Sequence, residues 1–149
     1  MMLVSNILKS KGNTVYHIDP ESTVYQAIKL MSEKRIGALV VLDERGALCG
    51  IISERDYRDK VILKGRRSKT TPVKDIMTSE VYWVTPDTPI KKCMALMTEK
   101  KFRHLPILEQ QNGEVIGVIS IGDLVKQIIS EQKVEINHLK NYIVGSYPG

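Results

Sequence analysis

Apolar residues recur along this chain in short blocks whose spacing predicts alternating helices and strands. One set has the i, i+3, i+4, i+7 spacing of a buried helical face, namely Val24, Ala27, Ile28 and Met31. It predicts a helix over residues 23–34, with Ser22 placed to cap it. The continuous apolar run at residues 38–42 is too short for a helix and predicts a buried strand, paired with residues 49–52. A second helix is predicted from Glu54.

The whole pattern then returns 66 positions later. The repeated positions are the short strand and the apolar helical face, so that Val15, Ile18, Val24, Ala27, Ile28 and Met31 become Val81, Val84, Ile90, Cys93, Met94 and Met97. Each copy reads strand, helix, strand, strand, helix, which is an α/β (α+β) unit. A unit of about sixty residues buries too little surface to be comfortably stable alone. We therefore expect a sandwich in which two units, related by a pseudo-two-fold, bury their sheets against each other.

The end of the third strand is repeated most closely. A Gly-x-x-Ser-x-x-Asp pattern recurs with a shift of 67, so that Gly50, Ser53 and Asp56 become Gly117, Ser120 and Asp123. Each copy indicates a buried strand running into the first turn of a helix, with a hydroxyl and a carboxylate at its mouth. Such a junction can hold a sugar-phosphate. The same spacing is also that of an N-cap hydroxyl with an acidic residue at N3, which favours a helix start without any ligand.

These repeats divide the chain into four segments. They are unit 1 at residues 7–64, a polar and basic linker at 65–74, unit 2 at 75–130, and a C-terminal amphipathic helix with its tail at 131–149. The last helix is expected from Gln132 to Tyr147 and would cover an apolar surface of this chain or of a partner.

Composition narrows the class of protein. A hydrophobic content of 42% and a charged content of 26% are those of a soluble globular protein. The net charge of +5 admits an anionic ligand or nucleic acid as a partner, although a basic solvated surface explains it as well. Cys49 and Cys93 are isolated and look like core residues, and the three histidines are dispersed, so no metal site is predicted. No membrane span or signal peptide is indicated, which makes the cytoplasm the expected location.

Three features together resemble a known family. They are the Asp75-Ile76-Met77-Thr78 start of unit 2, the Lys101-Phe102-Arg103-His104-Leu105-Pro106-Ile107 run, and the doubled Gly-x-x-Ser-x-x-Asp. In this order and duplicated, they look like a pair of CBS domains, the Bateman module, over residues 7–130. The resemblance implies a regulatory module without catalytic activity, which binds adenosyl ligands such as AMP, ADP, ATP, NAD or S-adenosylmethionine in two clefts. It also implies a homodimer, and the chain looks like the small stand-alone members.

The resemblance makes ligand contact the better interpretation of both junctions. A carboxylate can accept hydrogen bonds from both hydroxyls of a ribose, which gives that role to Asp56 and Asp123, beside Ser53 and Ser120. Phosphate needs cationic or N–H donors, and Arg55 is such a donor in the first copy. The second copy has Gly122 at that position, so we expect unequal sites.

Other residues are predicted to complete the clefts. In the second cleft Arg103 and His104 would take the place of Arg55, while Lys60, Arg66 and Lys69 would reach the first cleft or remain solvated. Adenine needs a flat apolar slot. The strand residues expected to form it are Ile18, Ala38 and Ile52 in one cleft, or Val84, Pro106 and Ile119 in the other.

Two other functions stay open from the sequence. A nucleic-acid-binding protein is suggested by the net charge, the linker and the basic run at residues 100–103, but the sparse aromatic residues and the dispersed basic ones argue against it. An adaptor with empty clefts would use the C-terminal helix to dock on a partner enzyme.

Overall fold

The computed structural model describes residues 1–12 and 14–143, and within them it contains the two predicted units. The elements in order are α1 (Val4–Lys11), β1 (His17–Ile18), α2 (Val24–Lys34), β2 (Ala38–Leu42), β3 (Leu48–Ser53), α3 (Glu54–Tyr57), α4 (Ile90–Lys100), β4 (His104–Leu108), β5 (Val115–Ser120) and α5 (Ile121–Ile143). A π-helical turn, Arg58–Ile62, continues α3, and a 3-10 turn, Val73–Asp75, precedes unit 2. The predicted α/β architecture is confirmed.

The two sheets have equivalent registers. β2 pairs antiparallel with β3, with Ala38 opposite Ser53, and β4 pairs antiparallel with β5, with His104 opposite Ser120. The first sheet gains β1, which runs parallel to β2. In the second copy the corresponding segment forms only an isolated parallel β-bridge, between Val84 and Ile107, and not a strand. Both junctions thus end at the same edge of their sheets.

The start of α2 follows the predicted capping chemistry with a shift of one position. α2 is capped by Thr23, whose side chain accepts a hydrogen bond from the Gln26 N–H, while Gln26 Oε1 accepts one from the Thr23 N–H. Thr23 and not the predicted Ser22 is therefore the N-cap. A capping box needs a glutamine or glutamate three residues after the cap, and Gln26 has that spacing from Thr23.

The residues at the N-terminal start of each unit pack on the other unit. Val4 and Ile7 of α1 lie in the core of unit 2, whereas Val73 and Ile76, where the linker joins unit 2, lie in the core of unit 1. A third cluster joins the two sheets through Val40, Leu108 and Val115. This reciprocal packing of each unit's first residues on the other unit places Met77 and Thr78 beside β3, close to the first junction.

The repeated glycines explain how this exchange is accommodated. A Cβ on Gly50 would lie 2.5 Å from Met77 Sδ, and one on Gly117 would lie 2.7 Å from Leu8 Cδ2. Each glycine therefore leaves room for one side chain from the start of a unit, since any larger residue would fill that space. Thr78, next to Met77, is held on β3 by two backbone hydrogen bonds with Ile51.

The C-terminal segment continues unit 2 directly. α5 runs unbroken from Ile121 to Ile143, so the predicted separate helix is the extension of this one, and its expected end, at residues 144–147, lies outside the described residues. Cys93 is fully buried in the core of unit 2, as predicted, and burial raises the pKa of its thiol to about 11. Cys49 is half-buried.

Candidate functional site: a cleft between the two units

The first junction is a capped helix start. Ser53 is the N-cap of α3, its hydroxyl accepts the Asp56 N–H at 3.3 Å, and Asp56 Oδ2 accepts the Ser53 N–H at 2.9 Å. Lys60 Nζ lies 3.0 Å from Asp56 Oδ1 and also donates to the Ile76 carbonyl at 2.9 Å. The Glu54 N–H is taken by the Gly37 carbonyl, so the first turn of this short helix offers few free N–H groups for phosphate. Most of the hydrogen-bond donors for a phosphate must therefore come from cationic side chains.

The second junction repeats this cap with a different cation. Asp123 Oδ2 accepts the Ser120 N–H at 2.8 Å, and Ser120 Oγ accepts the Asp123 N–H at 3.1 Å. Here the lysine comes from α1, because Lys11 Nζ lies 2.7 Å from Asp123 Oδ2. Burial raises the pKa of Asp123, but the hydrogen bonds from Lys11 and Ser120 outweigh it, and the pKa is lowered overall. The carboxylate is therefore ionised at neutral pH.

A cleft of about 610 Å³ opens at the first junction, and residues of both units line it. Unit 1 contributes Ser53, Arg55 and Asp56 from the junction, and unit 2 contributes Arg103 and His104 from the start of β4. The sequence predicted Arg103 and His104 for the second cleft, and in the structure both line the cleft at the first junction. His104 also borders the second junction, because it pairs with Ser120 across β4 and β5 and the charges of Lys11 and Asp123 act on it. Predicted residues of both sites thus line one cleft, although Ser120 and Asp123 are not among them.

One wall of the cleft is aromatic. The Tyr82 and Phe102 rings stack with centroids 5.6 Å apart and an interplanar angle of 19°, and Lys100 Nζ lies 5.5 Å from the Tyr82 ring centroid. Ile51 and Val81 extend the apolar surface. It is a flat apolar wall on which a purine can stack. Tyr82 was not predicted as a site residue, because its position 66 residues after Tyr16 indicated only a strand.

The charges in the cleft have both signs. Cations line it at Arg55, Arg58, Lys100 and Arg103, and carboxylates line it at Glu54, Asp56 and Glu80. Arg55 also spans the units, because its Nη1 donates to the Lys101 carbonyl at 2.6 Å. Burial lowers the pKa of His104 to about 4, and the positive charges of Lys11, Arg103 and Arg55 act in the same direction. At neutral pH the imidazole is therefore uncharged and can donate or accept a hydrogen bond.

The predicted adenine slot lies elsewhere. Ile18 is half-buried in β1, Ala38 is buried opposite Ser53, and Pro106 is buried in β4 opposite Val118. The cleft, as the described residues form it, is not lined by these three side chains. Their role in binding stays a prediction.

Two linker residues face a different groove. Arg66 and Lys69 line a groove of about 560 Å³ together with Tyr25, whose ring centroid lies 5.1 Å from Lys69 Nζ. The Tyr25 N–H donates to the Ser68 carbonyl at 3.0 Å, which holds the linker against α2. The linker therefore lies away from the first cleft in this structure.

Neither a metal centre nor a membrane span is found in the part of the chain that the structure describes. No three His, Cys, Asp or Glu side chains come together there as ligands would. None of the helices within residues 1–12 and 14–143 is both long and apolar enough to cross a bilayer.

Comparison with known proteins agrees with the fold. The family description "CBS domain" matches the chain twice, at residues 6–62 and 73–130. A mitochondrial CBS domain-containing protein of Arabidopsis thaliana is 42% identical over 97% of this chain and 73% of its own length. A solved protein with CBS domains from Burkholderia ambifaria MC40-6 is 49% identical, with a TM-score of 0.82 over 88% of this chain and 96% of that one.

A more distant structure shares the fold and holds ligands. The CBS domain pair of protein MJ0100, solved with 5'-methylthioadenosine and S-adenosyl-L-methionine, has a TM-score of 0.78 over 88% of this chain and 98% of that one, at 21% identity. At that identity the likeness is one of fold alone. From the two family matches, the curated relative and the solved structures, this chain belongs to the CBS-domain family, as a tandem pair of CBS units.

Proposed function

We propose that the chain is a non-catalytic regulatory module whose cleft between the units binds an adenosyl ligand: AMP, ADP, ATP, NAD or S-adenosylmethionine. The observation that carries the proposal is the composite cleft, which Asp56 of one unit lines together with Arg103 and His104 of the other, beside an aromatic wall. The adenosyl ligands bound by the CBS domain pair of MJ0100 support the ligand class.

Each part of such a ligand has a chemical partner in the cleft. The ribose diol is assigned to the Asp56 carboxylate, which Lys60 and the Ser53 N–H hold in place. Phosphate or another anionic group is assigned to Arg55 and Arg103, whose guanidinium groups bind such oxygens in pairs. Adenine is assigned to the wall formed by Tyr82 and Phe102.

Arg55 offers a way to transmit occupancy. The Arg55 guanidinium donates to the Lys101 carbonyl of unit 2, at the left-handed end of α4 where Lys101 has a φ of 59°. A bound phosphate competes for the same donors, so ligand binding exchanges a contact between units for a contact with ligand. A ligand shifts such an equilibrium by its difference in affinity for the two arrangements.

We further propose that the module is a cytoplasmic homodimer. Val125 and Ile129, four residues apart on α5, are 41% and 55% exposed, as is expected of an uncovered helix face that a second copy would bury. Native mass spectrometry measures the oligomer directly, and cell fractionation tests the location, since the Arabidopsis relative is mitochondrial.

Titration calorimetry on protein verified to be folded and free of carried-over ligand tests the ligand class. We expect heat and thermal stabilisation with at least one of AMP, ATP, NAD and S-adenosylmethionine. Absence of both effects with all four ligands would refute the proposal.

A further inference from the structure

The linker forms one side of a groove that is separate from the cleft between the units. This linker groove has a volume of about 560 Å³. Its floor is apolar and comes from two helical segments of unit 1, through Ile28, Tyr57, Val61 and Ile62. Tyr25 stands at its edge, and the repeat puts Lys91 at the equivalent position of unit 2. The groove is therefore built on the linker and not on the repeat.

The other edge of the linker groove is cationic. Arg66, Arg67 and Lys69 line it, and no acidic residue does so among the residues that the structure describes. All three cations are exposed, and none forms an ion pair within the described part of the chain. The cleft between the units carries charges of both signs, whereas this groove combines an apolar floor with positive charge alone.

The linker keeps its shape through main-chain contacts. The Tyr25 N–H donates to the Ser68 carbonyl at 3.0 Å, and the buried Thr71 donates its hydroxyl to the Arg67 carbonyl at 2.7 Å. The guanidinium of Arg67 and the ammonium of Lys69 take no part in these bonds. Both groups can therefore bind a partner while the linker stays in place.

The helical segment of residues 54–62 lies between the linker groove and the cleft. Asp56 lines the cleft, whereas Tyr57 and Val61 line the groove. Its second half is the π-helical turn Arg58–Ile62, a rare conformation that is frequent at functional sites. A protein bound in the groove would thus contact the segment that also carries the cleft carboxylate.

We propose that the linker groove docks an acidic segment of a partner protein, whose carboxylates pair with Arg67 and Lys69 and whose apolar side chain packs on Tyr25 and Ile62. These two apolar side chains are 44% and 55% exposed, and neighbouring exposed apolar residues mark interaction surfaces. Tyrosine and arginine are also the residue types that contribute most at protein interfaces. The inference goes beyond the proposed function and does not depend on it, because no residue of the cleft takes part.

Two other occupants fit the groove less well. The bases of a single-stranded nucleic acid stack on open aromatic faces, but the exposed Tyr25 ring already has the Lys69 ammonium 5.1 Å from its centroid. A second copy of this chain in a two-fold contact would set the linker cations of both copies against each other. A carboxylate-bearing segment meets neither obstacle, since its carboxylates can pair with these cations.

Selection of random dodecamer peptides on phage against the immobilised full-length protein tests the proposal without assuming a partner. We expect the enriched peptides to carry several Asp or Glu residues around an aromatic or aliphatic one. Enrichment of basic or uncharged peptides, or no enrichment, would overturn the inference. The most enriched peptide is then synthesised with a fluorescent label and serves as the probe.

Fluorescence anisotropy measures the affinity of this peptide for the wild-type chain and its variants. The double variant Arg67→Ser, Lys69→Ser should bind about tenfold more weakly and with less salt dependence, because two charge pairs are lost. Tyr25→Ala should also weaken binding about tenfold. The matched control, Lys91→Ser with Lys92→Ser, removes the same charge from exposed positions of α4 and should bind as the wild type does. Equal losses in the control, or none in the linker variant, would overturn the inference.

An NMR titration of the ¹⁵N-labelled wild-type chain with the same peptide locates the site without any substitution. The largest amide shifts are expected at Tyr25, Ser68 and Lys69. Shifts confined to Tyr82 and His104 would place the peptide in the cleft and contradict the proposal. A chain that binds this peptide at the groove but binds no adenosyl ligand would refute the proposed function and leave this inference standing.

Native mass spectrometry distinguishes a partner protein from a second copy. We expect the Arg67→Ser, Lys69→Ser protein to keep the oligomeric state of the wild type, and the wild type to take up one peptide per chain. Loss of a wild-type dimer in this variant would show that the groove is an interface between copies, and the inference would fail.

Discussion

Replacing Asp56 by Asn tests the ribose assignment with little disturbance of the fold. The amide keeps an oxygen that can accept the Ser53 N–H, now bonded at 2.9 Å, so the helix start survives. The Lys60 contact is lost, but it is an i, i+4 pair with a 44% exposed lysine, worth about 0.5 kcal/mol. We therefore expect stability to fall by less than about 1 kcal/mol.

Ligand binding should suffer far more than stability. Hydrogen bonds to a charged acceptor contribute about 1.5–3 kcal/mol, which corresponds to roughly a ten- to hundredfold loss of affinity at the first cleft. Calorimetry with AMP on the wild-type and Asp56→Asn proteins measures this loss of affinity. Asp59→Asn is the matched control, because Asp59 lies in the same helical segment, is half exposed and pairs with Arg58. Equal affinities for the two variants would refute the ribose assignment and leave the junction a helix cap alone.

Three further predictions concern neighbouring residues. Arg55→Met should weaken AMP binding about tenfold and leave adenosine binding unchanged, as calorimetry with both ligands will measure, and equal losses for both would contradict a phosphate role. The lowered pKa of His104 means that the unfolded chain takes up its proton first as pH falls below about 6.5, so stability should drop by about 2 kcal/mol between pH 7 and 4.5. Urea unfolding should show a smaller drop in His104→Gln, and an unchanged pH dependence would refute the assignment. Gly50→Ala should cost about 1–3 kcal/mol in urea unfolding, because the new Cβ would lie 2.5 Å from Met77 Sδ and 3.1 Å from the Thr78 carbonyl, and a neutral effect would contradict this packing.

The repeat in the sequence was sufficient to predict the architecture. Each pair of neighbouring strands is local in sequence, so apolar spacing and turn composition identified it. The two pairs have equivalent registers, with Ala38 opposite Ser53 and His104 opposite Ser120, as expected for two copies of one repeat. The π-helical turn at Arg58–Ile62 was not predicted, since five residues are too few to distinguish its period from that of an α-helix.

The composition of the site was harder to predict for a geometric reason. An alignment of the two copies matches Arg103 with Gly37. It shows which residues are equivalent in the two units, but not which residues are neighbours in space. Adjacency follows from the way the units pack across the pseudo-two-fold, which brings the start of β4 to the junction of unit 1. Lys11 was missed for the same reason, because its contact with Asp123 joins segments 112 positions apart.

The central claim is that an adenosyl ligand lies between the units, and amide chemical-shift mapping with AMP tests it most directly. On ¹⁵N-labelled protein we predict the largest saturable shifts at Asp56, Tyr82 and His104, on both sides of the cleft. Shifts confined to the groove at Tyr25 and Lys69, or no saturable shifts with any adenosyl ligand, would contradict the account.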